Sequence, residues 1–154
     1  MIITRARIVA EALLWRGTPF LWAQSRRGQG CDCKGLIYGI ARDLDLPESR
    51  VPEMMNQTYR RADPDVLMNG LRATFRQVDR FRPGDILALP VGYRDLTPRH
   101  VGIVVDDSRM LHCYGRNVDR VVSVPIGSRR IHSIWTWPSL GLSLGLLQEE
   151  SDWL

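Results

Sequence analysis

Apolar residues recur at helical spacing through the first half of the chain and in short alternating runs through the second. From about Thr4 to Trp15, Ile8, Val9, Ala12, Leu13 and Trp15 fall near one face, with Arg7 and Glu11 beside it, and Gly17 ends the pattern. Arg5 lies on the apolar side but in the first turn, where a long side chain reaches water. The punctuation from Gly17-Thr18-Pro19 to Gly28-Gln29-Gly30 predicts a loop. A second helix is predicted from near Cys33 to about Leu44, burying Leu36, Ile37, Ile40 and Leu44. Val51-Pro52 and Asp63-Pro64 signal two further helix starts, with proline at a first helical position.

From Phe75 the period falls to two. Strands are predicted at Phe75–Val78, Asp85–Leu89, His100–Val105, Met110–Tyr114, Val118–Val124 and Ile131–Trp137, divided by turn-forming runs such as Arg82-Pro83-Gly84 and Asp106-Asp107-Ser108. Helices first and a meandering antiparallel sheet second make an α+β domain over residues 1–137. Residues 138–154 form an apolar arm in which Leu140, Leu142, Leu144 and Leu146 alternate with glycine and serine, before an acidic end. Strand addition to a partner protein suits that spacing, and folding back over the chain's own core is the alternative.

Composition narrows the class. At 154 residues one domain with a real core is expected. Three cysteines cannot pair completely, which disfavours a disulfide scaffold. The arginines and glutamate of the first 15 residues interrupt any signal-peptide core, and no apolar run is long enough to span a membrane. Of the 21 basic residues only Lys34 is lysine; up to Gln148 they face 14 acids, a net +7 that fits a polyanionic partner such as nucleic acid or an acidic wall polymer. No arginine cluster exceeds two neighbours and no nucleic-acid motif accompanies the charge, so a solvated basic surface is the preferred reading.

Candidate chemistry centres on Cys33, which follows Asp32 after a glycine-rich loop and opens the second helix. A thiol at the positive end of a helix dipole is favoured as thiolate, with a pKa below the free value of about 8.5. Buried cysteines are commonly inert core residues, but a core cysteine needs no glycines to open access to it. His100 and His112 lie on consecutive predicted strands, and their even separation allows one sheet face. His100 could then take the thiol proton while His112 fixes its tautomer. A zinc site drawn from Cys31, Cys33, His100, His112 and Cys113 competes, but Cys-x-Cys is not the usual ligand spacing and His112 and Cys113 point to opposite faces. No metal or other cofactor is therefore expected. His132, with no partner motif, reads as structural.

In order and gaps, Gly17-Thr18-Pro19-Phe20, Gly30-Cys31-Asp32-Cys33-Lys34-Gly35-Leu36, Arg82-Pro83-Gly84-Asp85-Ile86-Leu87, His100-Val101-Gly102-Ile103 and Met110-Leu111-His112 resemble the NlpC/P60 cysteine peptidases. The pair Gly-Cys-Asp-Cys and the closing Arg129-Arg130-Ile131 … Trp137-Pro138 are closer to the branch found in tailed phages and gene transfer agents. The resemblance implies a papain-like fold and a cysteine peptidase that hydrolyses peptidoglycan stem peptides at the γ-D-glutamyl–diamino acid bond. It carries over Cys33 as nucleophile, His100 as base, His112 as third member and Asp32 as the partner of the stem peptide's amine; Asp32 is equally placed to cap the helix. It also implies tail hub or baseplate partners and delivery in a particle after synthesis in the cytoplasm. Phe20 stands where many members have tyrosine and Lys34 replaces the usual serine, which bears on substrate recognition and favours an idle structural adaptor as the alternative.

Overall fold

Helix α1 (Arg5–Leu14) begins where the Thr4 hydroxyl accepts the Arg7 N–H, a side-chain cap that satisfies one of the helix's orphan donors. The computed structural model describes residues 1–50, 65–115 and 118–143. Ile8, Ala12 and Trp15 of the predicted face are buried, whereas Leu13 is exposed, because the apolar stripe is narrower than the periodicity allows. Arg5 does not simply reach solvent: its guanidinium lies 2.7 Å from the buried Asp85 carboxylate and also donates to the Pro83 carbonyl.

The predicted loop contains a small hairpin, β1 (Ser25–Arg26) paired antiparallel with β2 (Gly30–Cys31). Two-residue strands carry no detectable alternation, so this pairing had no periodic signature. Helix α2 (Cys33–Asp43) follows directly, and it is buried from Cys33 through Ala41 at the centre of the main core. A 3-10 turn spans Pro47–Ser49 and helix α3 covers Val66–Thr74. The helix starts read at Val51-Pro52 and Asp63-Pro64 lie outside the described residues.

The six predicted strands have counterparts in β3 (Arg76–Val78), β4 (Ile86–Pro90), β5 (Pro98–Val104), β6 (Arg109–His112), β7 (Val122–Pro125) and β8 (Ser133–Thr136). They form one antiparallel sheet in the order β3-β8-β4-β5-β6-β7, so the α+β expectation holds. The meander is only partial, because β8 returns between β3 and β4. Strand β7 starts later than read, since Val121 bonds through its backbone to Gly17 and Thr18. Alternation along β4 sends Ile86 and Ala88 to the helical core, while Leu87 and Leu89 join Val104, Met110 and Ile126 in a second apolar cluster.

The Arg82–Asp85 turn is a structural junction. Gly84, at φ +93°, adopts a conformation natural only to glycine, and its carbonyl accepts the Trp137 indole N–H at 2.7 Å. Asp85 closes the turn by accepting the Arg82 N–H while its other oxygen takes Arg5.

Residues 138–143 run back over the domain. Ser139 donates its backbone N–H and its hydroxyl to the two carboxylate oxygens of buried Glu48, each at 2.7 Å. Backbone bonds then join Ile3 to Gly141 and Leu142. The remainder of the arm, 144–154, lies outside the described residues. A buried carboxylate stripped of both partners carries a full desolvation penalty. Glu48→Ala, which removes two charge-assisted bonds, is expected to cost about 2–4 kcal/mol in urea denaturation. Ending the chain after Pro138 is expected to cost at least as much, because Glu48 then stays buried without Ser139; an unchanged midpoint would separate this strap from the fold.

Candidate active site

The site is built on Asp32, which enters α2 in extended conformation and accepts the Gly35 N–H through Oδ1 at 2.7 Å. Its second oxygen accepts the Ala23 N–H at 3.0 Å, so one carboxylate caps the helix and ties down the preceding loop. Gly35 is required at this junction, because a Cβ there would overlap the Gln24 carbonyl. The Asp32 backbone N–H reaches that same carbonyl, and Cys31 bonds to Pro19 and Leu21. Cys33 is thereby fixed as the first residue of α2, at the positive end of its dipole.

Cys33 and His100 line one cavity of about 430 Å³, whose walls include Phe20, Trp22, Asp32, Arg99 and Tyr114. His100 Nε2 and His112 Nδ1 are 2.9 Å apart. The strand register explains the pairing. Ile103 opposes Leu111, so His100 and His112 are diagonal neighbours rather than directly opposite. With Nε2 engaged by His112, the nitrogen left for a thiol is Nδ1. Of the residues read as a site, Asp32, Cys33 and His100 share this cavity, and His112 joins it through His100.

Burial, then the neighbouring imidazole and the Arg129 guanidinium, push the His100 pKa down to about 3. Burial and Arg129 bring His112 down to about 4. Both rings are therefore neutral near pH 7. Two tautomer pairs fit that contact; the one that leaves His100 Nδ1 as an acceptor has the hydrogen of His100 Nε2 donated to His112 Nδ1, which places the His112 hydrogen on its Nε2.

The other thiols are placed differently. Cys113 is buried in the helical core, and its Sγ donates to the Cys31 carbonyl at 3.3 Å. The contact with Cys113, reinforced by burial, pushes the Cys31 thiol up, so it stays protonated. Among the described residues no group of three or more His, Cys, Asp or Glu side chains could hold a metal ion.

Several walls went unread in the sequence. Trp22 is 56% exposed and meets Phe20 edge to face at a centroid distance of 4.8 Å. Its signal was a large aromatic in a glycine- and proline-rich loop, where no core position needs one. Arg129, whose charge is felt by both histidines, had been read only as surface and as part of a closing motif.

An imidazole whose folded pKa lies below its unfolded value near 6.5 binds protons more readily in the unfolded chain. The stability that depends on the neutral dyad is thus complete above about pH 6.5 and is lost as pH falls toward 4 and 3. Neither dyad imidazole is expected to titrate by NMR between pH 5.5 and 8, and His112→Gln should flatten the fall in melting temperature between pH 7 and 4.5. A dyad resonance titrating near 6.5 would contradict the buried neutral pair.

The chain is similar to the probable endopeptidase YafL of Escherichia coli, at 25% identity over 95 residues, 62% of this chain and 33% of that one. It therefore spans about a third of the length of the curated relative it matches. Among solved structures, the peptidoglycan hydrolase RipB of Mycobacterium tuberculosis matches 86% of this chain and 63% of its own, at 16% identity and TM-score 0.58. RipD of the same organism, described as a non-catalytic NlpC/p60 domain protein adapted to peptidoglycan binding, matches 90% of this chain and 99% of its own, at 16% identity and TM-score 0.57. The NlpC/P60 family model matches residues 17–134, from the loop before the cysteine into the start of β8, and the chain belongs to the NlpC/P60 family.

Proposed function

We propose that the protein is a cysteine peptidase that cleaves peptidoglycan stem peptides, at a γ-D-glutamyl–diamino acid bond. The observation that carries this reading is the shared cavity of Cys33 and His100 with His112 on the far nitrogen of His100. In the proposed reaction His100 Nδ1 takes the Cys33 proton and the thiolate attacks the scissile carbonyl. The resulting imidazolium is held through its Nε2–H by His112, and the dipole of α2 stabilises negative charge at its first residue. His100 returns the proton to the departing amine as the C–N bond breaks, leaving a thioester on Cys33. Water, deprotonated by the same His100, then hydrolyses the thioester and frees the thiol. Asp32 borders the cavity with both oxygens already engaged by backbone N–H groups, yet a carboxylate has about four acceptor sites. It is assigned to the stem peptide's amine as well as to the helix cap.

The reading extends to delivery on a phage-like tail, with synthesis in the cytoplasm and docking to a hub or baseplate protein. Its support is the likeness of Gly30-Cys31-Asp32-Cys33 and Arg129-Arg130-Ile131 … Trp137-Pro138 to that branch of the family. A catalytically idle adaptor is the second reading. It is favoured by the likeness to non-catalytic RipD and by Phe20 and Lys34.

On purified peptidoglycan the protein is expected to release new amino termini, and Cys33→Ala should lower the rate by roughly a thousandfold or more. Wild type that releases none, while still binding the polymer, would establish the adaptor. Iodoacetamide at mildly acidic pH should label Cys33 before Cys31 and Cys113, since the latter two are 0% and 1% exposed; earlier labelling of Cys31 would unseat Cys33 as nucleophile. Western blotting should find the protein in purified tail particles rather than only in the lysate.

A further inference from the structure

A second cavity, of about 580 Å³, adjoins the first at His100. It shares Val91, His100 and Tyr114 with the cysteine cavity, so a substrate crossing His100 can occupy both. Beside His100, its polar lining is Tyr93, His112, Tyr114, Ser128, Arg129 and Arg130, with no aspartate or glutamate among the described lining residues. Arg129 holds its Nε on the Pro125 carbonyl at 3.1 Å, which anchors the guanidinium, and its charge reaches both imidazoles. The tautomer argument adds a donor. In the tautomer that the proposed reaction needs, with His100 Nδ1 free to take the thiol proton, His112 Nδ1 accepts from His100 and His112 carries its hydrogen on Nε2.

We infer that this cavity is the leaving-side subsite and binds a free carboxylate on the residue whose amine departs, held by Arg129, Arg130 and the His112 Nε2–H. The inference rests on the proposed hydrolase and names the substrate feature it selects. Two guanidinium groups with no acid among the lining residues suit an anion. The position fixes which half of the substrate it meets. The acyl half is held at Cys33 in the first cavity, and the departing amine must lie against His100, which receives the thiol proton and returns it. A residue attached through that amine reaches the adjoining cavity, which His100 also lines. The chain would thus distinguish stem peptides with a free carboxylate on the leaving residue from those in which it is amidated.

Two synthetic stem peptides with the same scissile bond, one carrying a carboxylate and the other a carboxamide on the leaving residue, test this. Wild type is expected to favour the carboxylate about tenfold or more in kcat/KM, the effect of losing charge-assisted hydrogen bonds. In an Arg129→Gln/Arg130→Gln double variant, checked for an unchanged melting temperature, the ratio should collapse toward one. Equal rates in wild type, or a preference that survives the double substitution, would overturn the subsite while leaving the peptidase standing. A readout without turnover uses Cys33→Ala protein with 15N-labelled histidine. Acetate should move the His112 Nε2 resonance and acetamide should not, with the shift lost when both arginines are replaced. If neither peptide is cleaved, the hydrolase reading fails, and this titration alone decides the cavity: an acetate response dependent on the arginines supports anion binding, and none overturns it.

Discussion

The site depends on one buried carboxylate. Asp32 holds the first turn of α2 through Gly35 and the preceding loop, residues 20–24, through Ala23, so Cys33 and the aromatic wall are positioned by the same group. An N-cap of this kind is worth about 1 kcal/mol to a helix. Its larger consequence is geometric. Cys33 is the residue after the cap, and any change in the Asp32 backbone would swing the thiol relative to a sheet that is separately anchored. The close approach of the Gln24 carbonyl, which leaves no room for a side chain at Gly35, locks the same junction from outside.

The histidine pair adds a constraint from the sheet. Burying two imidazoles is tolerable only if they stay neutral and satisfy each other, and their mutual hydrogen bond does so at one nitrogen of each ring. A neutral dyad is a weak proton acceptor in the resting protein, and the Arg129 charge makes it weaker. An anion beside Arg129 would offset that charge. A carboxylate bound beside Arg129 would therefore raise the proton affinity of both imidazoles as well as fill a cavity.

Much of this arrangement was legible because it rests on local rules. The helix opening at Cys33 follows from an aspartate cap before an apolar periodic run, and the common face of His100 and His112 follows from even spacing across a short turn. What escaped depends on distant partners. Arg5 seeks Asp85 across 80 residues of sequence, and β8 inserts between β3 and β4. Glu48 meets Ser139 across 91 residues. None leaves a periodic trace, since each is an isolated polar residue satisfied by a segment far along the chain. The cavity walls escaped for a related reason: Trp22 and Arg129 become a site only when the α2 entry and the β7–β8 connection converge on His100.

The two residues that depart from the family pattern take on a different weight once placed. Phe20 packs its ring against Trp22, and Gly115 leaves room for it, so the missing phenol oxygen is replaced by apolar contact rather than by an unsatisfied group. Lys34 is the sole lysine and is buried next to Cys33 in the first turn of α2. A cation there opposes the helix dipole and costs the helix a few tenths of a kcal/mol to about 1 kcal/mol. That cost falls on the turn that Asp32 caps, so the carboxylate offsets in the first turn of α2 part of what the lysine there takes away.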